Sequence, residues 1–367
     1  MLEQGRMVGI GIALTLLAVG PALAASPQEI PRTPSGRPDL SGTYNVATLT
    51  PLVRPREFGE NLFLTREQAI EIAEQERSLL ERGSEQSDPN RDAPPAGGAA
   101  PVGFDDEQRE TLGAGNVGGY NSFWIDRGSE AFAIDGMYRT SILTDPANGQ
   151  YPPLTPAAQE RAMGRRRAFR PNDGTAYWLD EEGPGPYDDI EQRPLAERCL
   201  LGFGSTAGPP MMPVLYNNLK RIVQTDDAVM ILVEMNHDVR VIRLSADHDP
   251  PAIRRWLGDS IGRWEGDTLV VESKHFRDQT ALGGGTRDLH VVERFTRLDA
   301  DRLHYEFTVQ DPSTWSAPWK GDYVWPSTDE QVYEYACHEG NYAMGNIMRG
   351  ARLLEAEAMA KKSATNE

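Results

Sequence analysis

The sequence predicts a mainly β fold: an antiparallel meander that closes into a barrel or curved sheet, with helices peripheral to it on the N-terminal side. Two observations predict this. From residue 219 onward, short runs of β-branched and aromatic residues alternate with polar ones, and the turns Thr225-Asp226-Asp227, Glu265-Gly266-Asp267 and Asp299-Ala300-Asp301 are too short for anything but hairpins. Glycine (35) and proline (27) make up about a sixth of the 367 residues, which is turn-rich and excludes a coiled coil, while 39% hydrophobic residues suffice for a core.

The first element is a secretory signal peptide over residues 1–24. An apolar run at 8–19 follows Arg6 and leads to Gly20-Pro21 and the small-residue end Ala22-Leu23-Ala24. That run is shorter than the roughly 20 residues that span a bilayer, so cleavage near Ala24 and a periplasmic or secreted chain without a membrane span are expected.

Residues 25–119 read as an extended segment, a strand at 40–44, one helix and a long mobile loop. The helix starts at a capping box, Thr65 ahead of Arg66-Glu67-Gln68, and carries Ala69, Ile70, Ile72, Ala73, Leu79 and Leu80 at helical spacing to Gly83. The loop at 84–119 is rich in Gly, Pro and Asp. Residues 120–352 form the β-rich, barrel-like domain. It opens with β character at 120–128 and 137–144, then a second helix, started by Thr155-Pro156, runs to about Arg170 with Arg165, Arg166 and Arg167 in its tail. Strands are expected at 219–224, 228–235, 239–244, 262–264, 268–273, 289–298, 302–310, 321–325 and 332–337. Residues 353–367 are left as a C-terminal tail.

Cys199 and Cys337 are the two thiols. In an oxidising compartment they are expected to pair and to tie the start of the β-rich half to its last strand. The alternative is a nucleophilic Cys337 beside His338, although neighbours on a strand point to opposite faces. The charge of −18, from 37 basic and 55 acidic residues, opposes binding of nucleic acid and leaves a small molecule as the expected partner.

No GxSxG, GxxxxGK[ST], HExxH or CxxC motif is present, and the Gly-rich stretches lie in loops, so no cofactor is expected. Chemistry is sought among the six histidines instead. His237 stands in Glu234-Met235-Asn236-His237-Asp238-Val239-Arg240, where hydrogen-bonding and titratable groups interrupt two apolar strands. An imidazole beside a carboxylate can serve as general acid or base near neutral pH, with Asp238 or Glu234 as helper; the alternative is a plain solvent-exposed turn. His338, at the end of the last expected strand, and His290 are the next candidates. Asn217, Asn218 and Arg240 would donate to a developing negative charge. Tyr216, in the Met- and Pro-rich stretch 198–218, and Tyr120 and Trp124, in YNSFWIDR, would contact a substrate. His237, His290 and His338 lack a short ligand pair, so no metal is expected; His248, in Asp247-His248-Asp249-Pro250-Pro251, reads as a loop residue. The faces carrying His304 and Glu306 on one strand and His290 and Arg294 on the next are the outside of a barrel or the wall of a wet cavity.

The segments RPLAERCLLGF, AGPPMMPVLYNN, EMNHDVRVIRL, RRWLGDSIGRWEGDTLVVES, LHVVERFTRLDADRLHYEFTVQDPSTW and YEYACHEGNY resemble a family of exported bacterial proteins of acidobacterial and proteobacterial type, over roughly residues 36–352. The resemblance implies export and carries no activity with it. Gly262-Arg263-Trp264, before the strand at 268, is similar to the G-x-W of lipocalin-like barrels, though it lies mid-chain. The leading expectation is an exported cofactor-independent enzyme, a lyase, isomerase or hydrolase, using acid–base catalysis on a small, partly apolar or aromatic metabolite. A non-catalytic periplasmic binding or carrier protein is the second, and a structural envelope protein the third.

Overall fold

The computed structural model describes residues 30–83, 125–168 and 174–365. The expected signal peptide, the expected loop at 84–119, Tyr120 and Trp124 lie outside them. The fold is mainly β, a ten-stranded, largely antiparallel sheet curled into a half-barrel. Its strands are β1 (Gly42–Asn45), β5 (Leu143–Asp145), β6 (Leu219–Gln224), β7 (Ala228–Val233), β8 (Val239–Leu244), β9 (Asp259–Glu265), β10 (Thr268–Lys274), β11 (His290–Arg297), β12 (Arg302–Gln310) and β13 (Trp319–Pro326), in the order β1-β6-β7-β8-β9-β10-β11-β12-β13-β5. The curl brings the two ends together, because Tyr44 bridges Ser327 and the Thr328 amide donates to the Thr43 carbonyl at 2.9 Å. A small second sheet pairs β2 (Phe63–Leu64), β4 (Met137–Arg139) and β3 (Ala133–Ile134).

Alternation decides which side chains fill the interior. On β11 and β12, Val291, Glu293, Phe295, Leu303, Tyr305, Phe307 and Val309 are buried, whereas His290, Arg294, His304 and Glu306 take the outer face. β8 and β9 alone among consecutive sheet strands run parallel, Ile242 opposite Ser260. A parallel step needs a crossover of a dozen or so residues, and residues 245–258 supply it. Gly262 explains the G-x-W at this seam: a Cβ there would lie 2.8 Å from Ile242 Cγ2 and 2.9 Å from Leu244 Cδ2, too close for strands packed this tightly.

Helix α1 (Arg66–Gly83) begins at the expected capping box, with the Gln68 amide on Thr65 Oγ1 at 3.2 Å and the Thr65 amide on Gln68 Oε1 at 2.9 Å. Helix α2 (Pro156–Ala168) is capped by Thr155, whose Oγ1 accepts from the Ala158 amide. A third helix, α3 (Tyr342–Thr365), covers the end of the expected β domain and most of the expected tail. It packs Ala351, Leu354 and Ala358 on Tyr177, Trp178 and Tyr187.

One expected strand is not formed. β13 is paired on both sides, with β12 and β5, and residues 332–337 join neither β1 nor β5, the outer strands of the sheet. Their amides turn to side chains of the rim instead, Tyr333 to Glu234 and Tyr335 to His237. His338 therefore follows an irregular segment and not a barrel strand.

Candidate functional site

The half-barrel is filled by its own chain. Residues 205–212 enter it and are buried throughout. The Met211 amide donates to Tyr305 Oη at 2.8 Å, Tyr323 Oη donates to the Met211 carbonyl at 2.9 Å, and Lys220 Nζ donates to the Thr206 carbonyl at 2.7 Å. Beneath this plug lies a closed polar network. Arg240 makes a bidentate pair with Glu293 (2.9 and 2.7 Å), Tyr305 Oη donates to Glu293 Oε1 at 2.7 Å, and Arg240 also donates to Ser260 and Ser273 Oγ at 3.2 Å each. The Met- and Pro-rich stretch is thus a stopper, and Arg240 is committed to Glu293.

Space for a ligand lies at the rim where the plug enters. A cleft of about 860 Å³ is lined by Glu197, Phe203, Tyr216, Asn217, Glu234, Tyr333, Tyr335, the Cys199–Cys337 pair and the first turns of α3. A second of about 410 Å³, lined by Asn45, Asp126, Asn218 and Glu330, shares Asn217, Glu234 and Tyr333 with it. The cysteines are disulfide-bonded with Cα atoms 5.7 Å apart. That bond fixes residues 332–337 as one wall.

Glu234 sits on the wall common to both clefts because β7 ends there and a single 3₁₀ turn, Met235–His237, returns the chain to β8. It is 6% exposed, and among the described residues its oxygens receive only long contacts, from the Leu219 and Tyr333 amides, 3.4 Å each. Asp238, after the turn, accepts from the Gly202 amide at 3.2 Å, and burial raises its pKa to about 6. Lys220, fully buried on the neighbouring β6, is lowered to about 7, first by burial and then by Arg240, against the pull of Asp238 and Glu234. The backbone here is strained. Cys199, Asn217, Asn236 and His237 all have φ between 53° and 62°, the left-handed region that non-glycine residues seldom occupy away from functional or turn positions.

The other expected residues fall as follows. His237 is exposed, and its Nε2 accepts the Tyr335 amide at 2.8 Å, so its proton is on Nδ1 and its lone pair clasps the 332–337 wall. Asn218 is buried and spends its amide on the Val214 and Asp126 carbonyls, shaping the rim. His338 is exposed in the turn before α3. His290 lies on the outer face of β11, with Nε2 2.9 Å from Glu272 Oε1. The clefts are therefore walled by Glu234, Asn217, Asn218 and Tyr216; Asp238 and His237, bonded to Gly202 and Tyr335, line neither, and Arg240, His290 and His338 lie apart from both. Sequence reasoning missed Lys220, Glu293, Tyr333 and Tyr335. For the first two a signal existed, a charged residue in the apolar phase of its strand: Lys220 with Ile222, Glu293 with Val291 and Phe295.

No family model matches the chain. No curated protein matches it in sequence either.

Proposed function

We propose that the rim cleft is the substrate site of an exported enzyme that works by acid–base chemistry on a small, partly apolar or aromatic metabolite, with Glu234 in place of His237 as the proton-transfer group. The observation that carries this reading is Glu234: a buried carboxylate, poorly satisfied by its own chain, on the wall of both clefts. A substrate hydroxyl, amine or acidic C–H seated there would complete its hydrogen bonding, and the Asn217 amide is placed to orient the substrate. Tyr216, Phe203, Tyr333 and Tyr335 supply flat apolar surface, which favours an aromatic or alicyclic body. Export is part of the proposal. It rests on the signal-peptide pattern, the resemblance to exported bacterial proteins, and the disulfide, and among the described residues no helix is long and apolar enough to cross a membrane.

A second reading, a carrier without turnover, is favoured by the engagement of His237 with the Tyr335 amide, which occupies the nitrogen a general base would use. A thermal-shift screen of aromatic acids, esters and lactones, followed by product analysis for each stabilising compound, separates the two. The enzyme reading expects a stabilising compound that is converted, and conversion that drops at least about 100-fold in Glu234→Gln. A compound recovered unchanged supports the carrier, and a screen in which no compound acts through Asn217 or Glu234 removes both readings.

A further inference from the structure

The crossover at 245–258 lies on the outer face of the sheet and brings together residues far apart in sequence. It carries His248 over Asp259 at the start of β9, and His275 follows the end of β10. His248, Asp259 and His275 each present a donor atom, all within 4.8 Å of one another. The His248 side chain is 10% exposed and that of Asp259 5%. His248 Nδ1 lies 2.8 Å from Asp259 Oδ2, and the imidazoles of His248 and His275 are 5.5 Å apart, edge to face. Two buried nitrogens here, Nε2 of His248 and Nδ1 of His275, have no hydrogen-bond partner. Glu272 Oε2 stands 3.5 Å from that Nε2.

We propose that His248 Nε2 and His275 Nδ1, with Glu272 in reach and Asp259 holding His248 through its Nδ1, form a binding site for a divalent transition-metal ion of zinc type, independent of the rim cleft. Burying two imidazole nitrogens without partners costs free energy that a metal ion would recover. Two histidine nitrogens with the Glu272 carboxylate are a zinc donor set, and Asp259, on the other nitrogen of His248, orients that ligand. Zinc–ligand distances of about 2.0–2.2 Å require donor atoms roughly 3.5 Å apart, so the group closes by about 1 Å on binding.

The choice of metal follows from the surrounding charges. Arg243 donates to both Asp259 oxygens (2.9 and 3.0 Å) and Arg255 to one (3.2 Å), and Lys274 pairs with Glu272. These cations balance the carboxylates, so a hard ion such as magnesium, which depends on carboxylate charge, gains little. An ion that prefers imidazole gains most.

The test is equilibrium dialysis of the purified full chain, stripped with EDTA, against zinc and separately against magnesium, with metal content read by mass spectrometry. The expected result is one zinc per chain, no magnesium, at least tenfold weaker zinc binding in His275→Ala and in His248→Ala, and full retention in His338→Ala. Cobalt(II) should give the intense visible bands of a four-coordinate site, lost in the same variants. Should His248→Ala fail to fold, His275→Ala and Glu272→Gln carry the test. No zinc uptake by the parent, or uptake unchanged in His275→Ala, overturns the proposal.

Discussion

Two buried glutamates of one sheet have opposite surroundings. Glu293, fully buried inside the half-barrel, holds Arg240 in two short bonds and Tyr305 in a third, and lines neither rim cleft. Glu234, at the rim, has two amide contacts at 3.4 Å and faces two clefts. A charge whose hydrogen bonds are all met within the fold serves the fold, because any ligand would have to displace a partner it cannot better. A charge left short of partners beside open volume is free to meet something that enters. The contrast assigns scaffold to the first and function to the second.

The largest expected effect would break the scaffold side. Arg240→Met leaves Glu293 charged and unpaired and should cost about 3–5 kcal/mol in urea unfolding, whereas Arg240→Met with Glu293→Leu should recover most of that loss. Replacing Cys199 and Cys337 by serine should cost about 2–5 kcal/mol, since the bond closes a 138-residue separation. Tyr305→Phe strands the Met211 amide and removes one Glu293 bond, and should cost about 1–3 kcal/mol by the same measurement. Two pH slopes are expected as well. Lys220 is lowered to about 7, so the unfolded chain binds more protons between there and the ordinary 10.5, and stability should rise with pH across that window. Asp238 is raised to about 6, so it keeps its proton longer when folded, and stability should fall as pH climbs from 3.8 to about 6. Unfolding midpoints over a pH series should show the upper slope vanish in Lys220→Met and the lower one in Asp238→Asn.

The strands of the half-barrel were legible because period-two alternation and tight acidic turns are local signals. Residues 219–224, 239–244 and 302–310 hold their expected bounds as β6, β8 and β12. Residues 332–337 alternate as well, yet they join no sheet: the disulfide and the Glu234 and His237 side chains hold them, contacts that no local pattern encodes. The same holds for the site. Glu234 and Asn217 stood out by type, but the Glu293 pair that commits Arg240 and the wall that occupies His237 arise from contacts across 53 and 98 residues. His248 looked like a loop residue because its partners, Asp259 and His275, meet it only through the parallel crossover.

The most direct measurement is a parallel thermal-shift and turnover comparison of the parent and Glu234→Gln over the aromatic compound panel. The account predicts that Glu234→Gln unfolds within about 1 kcal/mol of the parent and loses the stabilisation and conversion the parent shows, since the carboxylate is little used by its own fold. A Glu234→Gln variant that unfolds as readily as Arg240→Met, or one that keeps the parent's ligand response and turnover, contradicts it.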